Sequence, residues 1–244
     1  MLIHLITIFP EFFDSALNVS IPKRAQDKQL VEICIHNLRD YTRDKHRTTD
    51  DSPFGGGAGM VMKPEPWFEA IPRIAPPDSP VIFLTPQGVP LSQPMVERLS
   101  REPAITLLCG RYKGLDERVR ERFVTEEISI GDYVLSGGEP AALVLVDSIV
   151  RLIPGVLGDF ESAEKDSFSG KLLDYPHYTR PQEIEGMVVP EILLSGHHKN
   201  IERWRWEQSL KRTKKRRPEL LNSIELNRSD RSYLNRIEDE LSKT

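Results

Sequence analysis

"SIGDYVLSGGEPAALVLVDSIVRLIPG", residues 129–155, turns a polar, glycine-bearing loop directly into an almost wholly apolar helix. A helix that is apolar nearly all round is a buried one, so residues 140–152 are expected inside the fold. Pro140 suits its first turn and Pro154 ends it. Gly137 and Gly138 stand where a nucleotide-binding loop would place its glycines, yet no Gly-Lys-Ser/Thr follows. The ligand expected here lets backbone come close and brings no phosphate.

Working outward, "VIFLT" (residues 81–85) and "AITLLC" (104–109) are continuous apolar runs, as strands covered on both faces require. Between them residues 92–101 read as a helix with Met95, Val96 and Leu99 as its inner stripe. Residues 2–8 and 30–35 read as further strands, and Phe12, Phe13, Ala16 and Leu17 give residues 10–19 a helical spacing. This alternation predicts an α/β fold with a mostly parallel sheet and helices on both sides. Residues 39–62 are polar, then glycine-rich, without periodicity, and read as a long functional or flexible loop.

The chain has 244 residues, enough for a middling domain plus a smaller one. Residues 1–158 are expected as the first domain, 159–187 as a Gly-, Ser- and acid-rich linker, and 188–244 as a small, basic, helical domain. The net charge of −4 excludes a globally basic nucleic-acid binder, so any such role rests on a local patch. The two cysteines, Cys34 and Cys109, lie in apolar runs and read as buried free thiols of a reducing compartment. The N-terminus lacks the basic start of a signal peptide, and no run reaches the length of a membrane span. A cytoplasmic protein with no membrane partner is expected.

Three loops follow strands: "TPQG" (85–88), "CGRYKGLDER" (109–118) and "SIGDYVLSGGE" (129–139). Loops at the carboxyl ends of parallel strands form the ligand crevice. Gly88, Gly110, Gly131, Gly137 and Gly138 let backbone approach a ligand, unless they serve only as turns. None of the loops matches a phosphate fingerprint, and basic residues are scarce apart from Arg111 and Lys113. An adenosine without phosphates suits them, with Ile130, Tyr133 and Leu135 as apolar walls. Asp166 reads either as a solvated charge or as a functional carboxylate. Arg151 closes the apolar helix, where a cation suits the helix end; its other reading is a guanidinium aimed at an anionic or carbonyl oxygen. Residues 199–217 hold nine Lys/Arg against two Glu, interleaved with Trp204 and Trp206. The cations fit phosphate contacts and the tryptophans a small core. His197 and His198 have no further spaced ligands to make a metal site.

The ordered motifs "IFPEFF", "DDSPFGGGAGM", "GRYKGLDERV", "SIGDYVLSGGE", "DSF", "PHYTRP" and "RRPELL" closely resemble the bacterial tRNA (guanine-N1)-methyltransferases that act on guanosine 37 beside the anticodon, from Ile8 to about Leu221. The resemblance implies the SPOUT class, with a trefoil knot in the C-terminal part of the catalytic domain. It implies a homodimer with an interfacial active site, S-adenosylmethionine as methyl donor, an association with magnesium, and a role in holding the reading frame. Its substrate is tRNA, gripped at the anticodon stem and loop, and not DNA. Carried over motif by motif, the cofactor site comprises Pro86, Gln87, Gly88, Gly110, Ser129, Ile130, Gly131, Tyr133, Leu135, Gly137 and Gly138. Asp166 is the implied general base and Arg151 its partner. Gly55, Gly56, Gly57 and Gly59 cradle the guanosine, and Arg203, Lys211, Arg212, Lys214, Lys215, Arg216 and Arg217 face the RNA. No residue is assigned to a metal. Related sequences often place Glu where this chain has Lys113, so Lys113 is left outside the site. The alternatives are the same chemistry on another tRNA nucleotide, a non-catalytic RNA-binding relative, and a nucleotide-using α/β enzyme, which the missing phosphate fingerprint disfavours.

Overall fold

A computed structural model describes residues 1–158, 166–168 and 171–241. The chain forms two compact units, Met1–Phe160 and Glu161–Thr244. Of the expected linker, residues 159–165 and 169–170 lie outside the described set.

The first unit is built on five strands, β1 (Leu2–Thr7), β2 (Glu32–Asn37), β5 (Val81–Pro90), β6 (Ala104–Cys109) and β7 (Glu126–Ser129). They form one sheet in the order β2-β1-β6-β5-β7, every pair parallel. Two short strands, β3 (Asp50–Asp51) and β4 (Val61–Met62), pair separately in the long loop. Alternate residues feed two cores, as strand pleat dictates. Ile3, Leu5, Ile105 and Leu107 face α1 (Ser20–Asp27), α3 (Gln93–Leu99) and α5 (Glu139–Val150). Ile6, Ile8, Phe83 and Leu108 face α2 (Pro64–Ile74), with its fully buried Trp67, and α4 (Glu117–Phe123). The result is a three-layer α/β/α structure. No described helix is long and apolar enough to cross a membrane.

Residues 10–19 do not form the expected helix. Two 3-10 turns, Pro10–Phe13 and Ala16–Asn18, occupy that stretch, and α1 begins only at Ser20. The spacing misleads because the aromatic pair splits: Phe13 is buried while Phe12 is exposed. α5 buries Ala142, Leu145, Val146, Ile149 and Val150, as its apolar sequence requires, but leaves Val144 exposed. Cys109 is buried, whereas Cys34, on the edge strand β2, is only half-buried; both thiols are free. Beside Cys34, His4 Nδ1 and His36 Nε2 stand 2.9 Å apart across β1 and β2.

In the second unit a two-stranded hairpin, β8 (Glu183–Ile184) and β9 (Met187–Val188), precedes α6 (His198–Arg216) and α7 (Arg228–Leu241). Its core joins Leu210 of α6 and Leu234 of α7 to Leu172, which comes from the stretch expected as linker. The expected tryptophan core is not found. Trp204 is half-buried and Trp206 is exposed at 37%. Aliphatic residues fill that core instead, and the Trp206 indole N–H reaches the buried Asp230 carboxylate at 3.0 Å.

Candidate functional site

β6, β5 and β7 are neighbours, so the loops at their carboxyl ends converge. They enclose a cavity of about 520 Å³, within the range of small-molecule sites. Ten of the residues expected to hold a cofactor line it: Pro86, Gln87, Gly110, Ser129, Ile130, Gly131, Tyr133, Leu135, Gly137 and Gly138. Gly88 does not. A Cβ there would lie 2.4 Å from the Ile128 backbone nitrogen, so this glycine lets β7 come close. It sits at a register shift in the β5–β7 pairing. Lys113, left out on sequence grounds, does line the cavity, and its stem packs on Gly59, where a Cβ would meet Cε at 3.2 Å.

Close backbone contact shapes the floor. Gly138 precedes α5 and its N–H donates to the Gly110 carbonyl at 2.9 Å. A Cβ on Gly138 would stand 2.9 Å from Cys109 Cα. The Cys109 thiol is sealed beneath; burial first, and the Glu139 charge next, hold its pKa well above the usual range, which disfavours the thiolate.

The cavity's guanidiniums are already engaged. Arg120 forms a forked pair with Glu127 at 2.8 and 2.7 Å and donates to the Gln87 side-chain oxygen at 3.1 Å. Arg111 Nε lies 3.0 Å from Glu139 Oε2, close enough for an ion pair but without the alignment of a hydrogen bond. Glu139 is fully buried, and its other oxygen accepts the Thr7 hydroxyl at 2.8 Å. Both arginines are thus paired, while the third cation of the lining, Lys113, forms no ion pair among the described residues. Thr7, Arg111 and Glu139 were not assigned from sequence. Arg111 stood out only as one of two basic residues in the loops, and Glu139 only as an acid in the first turn of an otherwise apolar helix, which reads equally as a complement to the helix dipole.

Gly55, Gly56, Gly57 and Gly59 all adopt positive φ in an exposed loop, and Phe54 beside them is fully exposed. Arg151 follows the last turn of α5 in the first unit, half-buried, its N–H on the Asp147 carbonyl at 3.3 Å. Asp166 opens a turn of the second unit and is half-buried.

The basic segment divides. Arg203 binds Glu207 at 2.8 Å and Asp230 at 2.9 Å, which fastens α6 to α7. Arg212 donates to the Asp174 carbonyl at 3.0 Å, Lys214 pairs with Glu238 at 3.1 Å, and Arg217 pairs with Glu219, whose carboxyl is thereby held below its usual range. Lys211 and Arg217 are exposed. Lys215 and Arg216 are exposed and form no ion pair among the described residues. No group of three or more His, Cys, Asp or Glu among the described residues could hold a metal.

Comparison with known proteins gives a consistent result. A family model described as "tRNA (Guanine-1)-methyltransferase TrmD" matches residues 1–223. A protein of Dictyoglomus turgidum named tRNA (guanine-N(1)-)-methyltransferase is 54% identical, the match covering 98% of this chain and 97% of that one. Proteins of the same name from Dehalococcoides mccartyi, covering 97% of both chains, and Brevibacillus brevis, covering 98% of this chain and 99% of the other, are each 52% identical. The chain therefore belongs to the tRNA (Guanine-1)-methyltransferase TrmD family.

Proposed function

We propose that this protein transfers a methyl group from S-adenosylmethionine to N1 of the guanosine at tRNA position 37, beside the anticodon, and so helps hold the reading frame. The observation that carries the reading is the cavity at the ends of β5, β6 and β7, with glycine-lined walls and both guanidiniums already paired. Such a pocket fits an adenosine. Pro86, Gln87, Gly110, Ser129, Ile130, Gly131, Tyr133, Leu135, Gly137 and Gly138 would hold the cofactor. When bound, it supplies a methyl group on a positively charged sulfur.

The protein's part in the chemistry is proton removal and charge stabilisation. Guanine N1 carries a proton and is a weak nucleophile while it does. Asp166 accepts that proton as the bond from N1 to the methyl carbon forms and the donor's sulfur–carbon bond breaks, the electron pair staying on the now-neutral sulfur. Electron density moves toward O6, where the Arg151 guanidinium stabilises it. The loop of Gly55, Gly56, Gly57 and Gly59 cradles the guanosine. The second unit grips the anticodon stem and loop, with Lys215 and Arg216 free to meet phosphate. The working form is a cytoplasmic homodimer with its active site at the subunit interface, and the cofactor domain carries the knot of the SPOUT class.

Incubating the protein with tRNA transcripts and S-adenosylmethionine, then mapping the modified nucleotide, tests the reading. The expected product is 1-methylguanosine at position 37, absent from transcripts with adenosine there. Methyl transfer to another nucleotide, or none at all, would refute it.

A further inference from the structure

We propose that Arg111 and the buried carboxylate Glu139 are positioning residues of the cofactor cavity, fastening its 131–138 loop to the sheet so that the loop's backbone is set before the nucleoside arrives. The proposal rests on the reading of that cavity as the S-adenosylmethionine site.

Glu139 opens α5, where an acid ordinarily faces water and complements the helix dipole. Here the side chain is fully buried, a costly place for a carboxylate without partners. The partners come from two sides. Thr7, at the end of β1, donates its hydroxyl at 2.8 Å and accepts the Phe9 N–H at 2.9 Å. Arg111, just past β6, brings Nε to 3.0 Å. Its guanidinium also lies over the Phe9 ring, 4.6 Å from the centroid, and Nη1 donates to the Ser136 carbonyl at 3.3 Å. The Arg111 backbone pairs with Gly137 in an isolated antiparallel bridge.

Gly137 shows how closely the pair fills this space. A Cβ there would lie 2.2 Å from Arg111 Nε and 2.5 Å from Glu139 Oε2. The chain of contacts thus runs from β1 through Glu139 and Arg111 to Ser136 and Gly137, and the last two line the cavity. A buried pair that served stability alone could be replaced by apolar side chains with little loss. This one grips the ligand's own loop. Releasing the loop would make each binding event bear the cost of ordering it.

Arg111→Lys keeps the charge and removes the planar fork that serves Glu139 and Ser136 together. The expected result is a rise of about tenfold in the Kd of S-adenosylmethionine by calorimetry, and a similar rise for adenosine, the size of one charge-assisted hydrogen bond. Affinity for tRNA without cofactor should stay within about twofold, and kcat/KM for the cofactor should fall more than kcat. Glu139→Gln should act the same way, and the double variant should lose no more than the worse single one. Unchanged cofactor affinity in Arg111→Lys overturns the proposal. So does a parallel fall in tRNA affinity and melting temperature in both variants, which would make the pair a plain support of the fold. Should the unaltered protein bind no S-adenosylmethionine, the cavity assignment fails, and hydrogen exchange decides the fastening separately. Faster exchange of the 131–138 amides in Arg111→Lys supports it; unchanged exchange overturns it.

Discussion

Gly88→Ala separates two uses of a glycine at a strand end. The added Cβ would stand 2.4 Å from the Ile128 nitrogen, 2.5 Å from the Glu127 carbonyl carbon and 2.6 Å from its oxygen. All three are backbone atoms of β7, so no side chain can swing aside. Reaching ordinary contact requires β7 to move by about 1 Å. Overpacking of this kind costs about 1–3 kcal/mol. The pairing of Val89 and Pro90 with Ile128 and Ser129 lies next to the clash, and weakening one ladder bond adds about 1 kcal/mol. The sum, about 2–4 kcal/mol, lowers the melting temperature of the free protein by roughly 5–15 °C. Ser129 ends β7 and lines the cavity, so cofactor affinity falls as well. The deciding figure is therefore the calorimetric melt without ligand. Gly138→Ala adds a second effect. Its Cβ would press on the β6 backbone at Cys109 Cα, 2.9 Å away, from a position lining the cavity, so besides destabilising the fold it should weaken cofactor binding about tenfold or more. A Gly88→Ala protein that melts with the unaltered chain yet loses the cofactor would show that Gly88 meets the ligand, and the packing argument would be wrong.

Three further outcomes are expected. Asp166→Asn should lower methyl transfer by about a hundredfold or more while the calorimetric Kd of S-adenosylmethionine stays within about twofold; near-normal turnover would remove Asp166 from the role of base. Replacing Lys215 and Arg216 together by Ser should make the log–log salt dependence of tRNA binding shallower by about 1.4–1.8. Arg203→Ser should instead loosen the α6–α7 packing around Asp230 and leave that slope alone; the opposite pattern would reverse the division of the basic segment. His4 and His36 both have pKa values below 6.5, burial being the main cause; the neighbouring His4 lowers His36 further, and Glu32 partly offsets the effect at His4. As pH falls below 6.5 the unfolded chain takes up protons before the folded one, so stability is lost toward acid and regained above that pH. His36→Leu should flatten the fall in melting temperature between pH 7 and 5, and an equal slope in both proteins would contradict the assignment.

How legible each feature was depends on the distance over which its cause acts. β5 and β6 could be read because burial on both faces writes a continuous apolar run into the strand itself. Their neighbours could not, since the order β2-β1-β6-β5-β7 rests on pairings between distant segments. α2 escaped because Pro64, Pro66 and Pro72 punctuate it, although the first two fall in the first turn, where proline is tolerated. The site divides the same way. Glycines at strand ends announced close backbone approach, but Gly88 and Gly138 look alike in sequence: a Cβ on either would meet strand backbone, of β7 or of β6, and Gly138 alone also lines the cavity. Arg203 looked like its basic neighbours until Asp230 of α7 came within 2.9 Å. Glu139 is the sharpest instance. Its position at the head of a helix supplied a sufficient local reason for an acid, which concealed the other one. That other reason needs Thr7, 132 residues away, and Arg111 on the far side of the loop. A residue with an adequate local explanation carries no sequence mark of a second role, so the burial of Glu139 in the fold is what first exposes it.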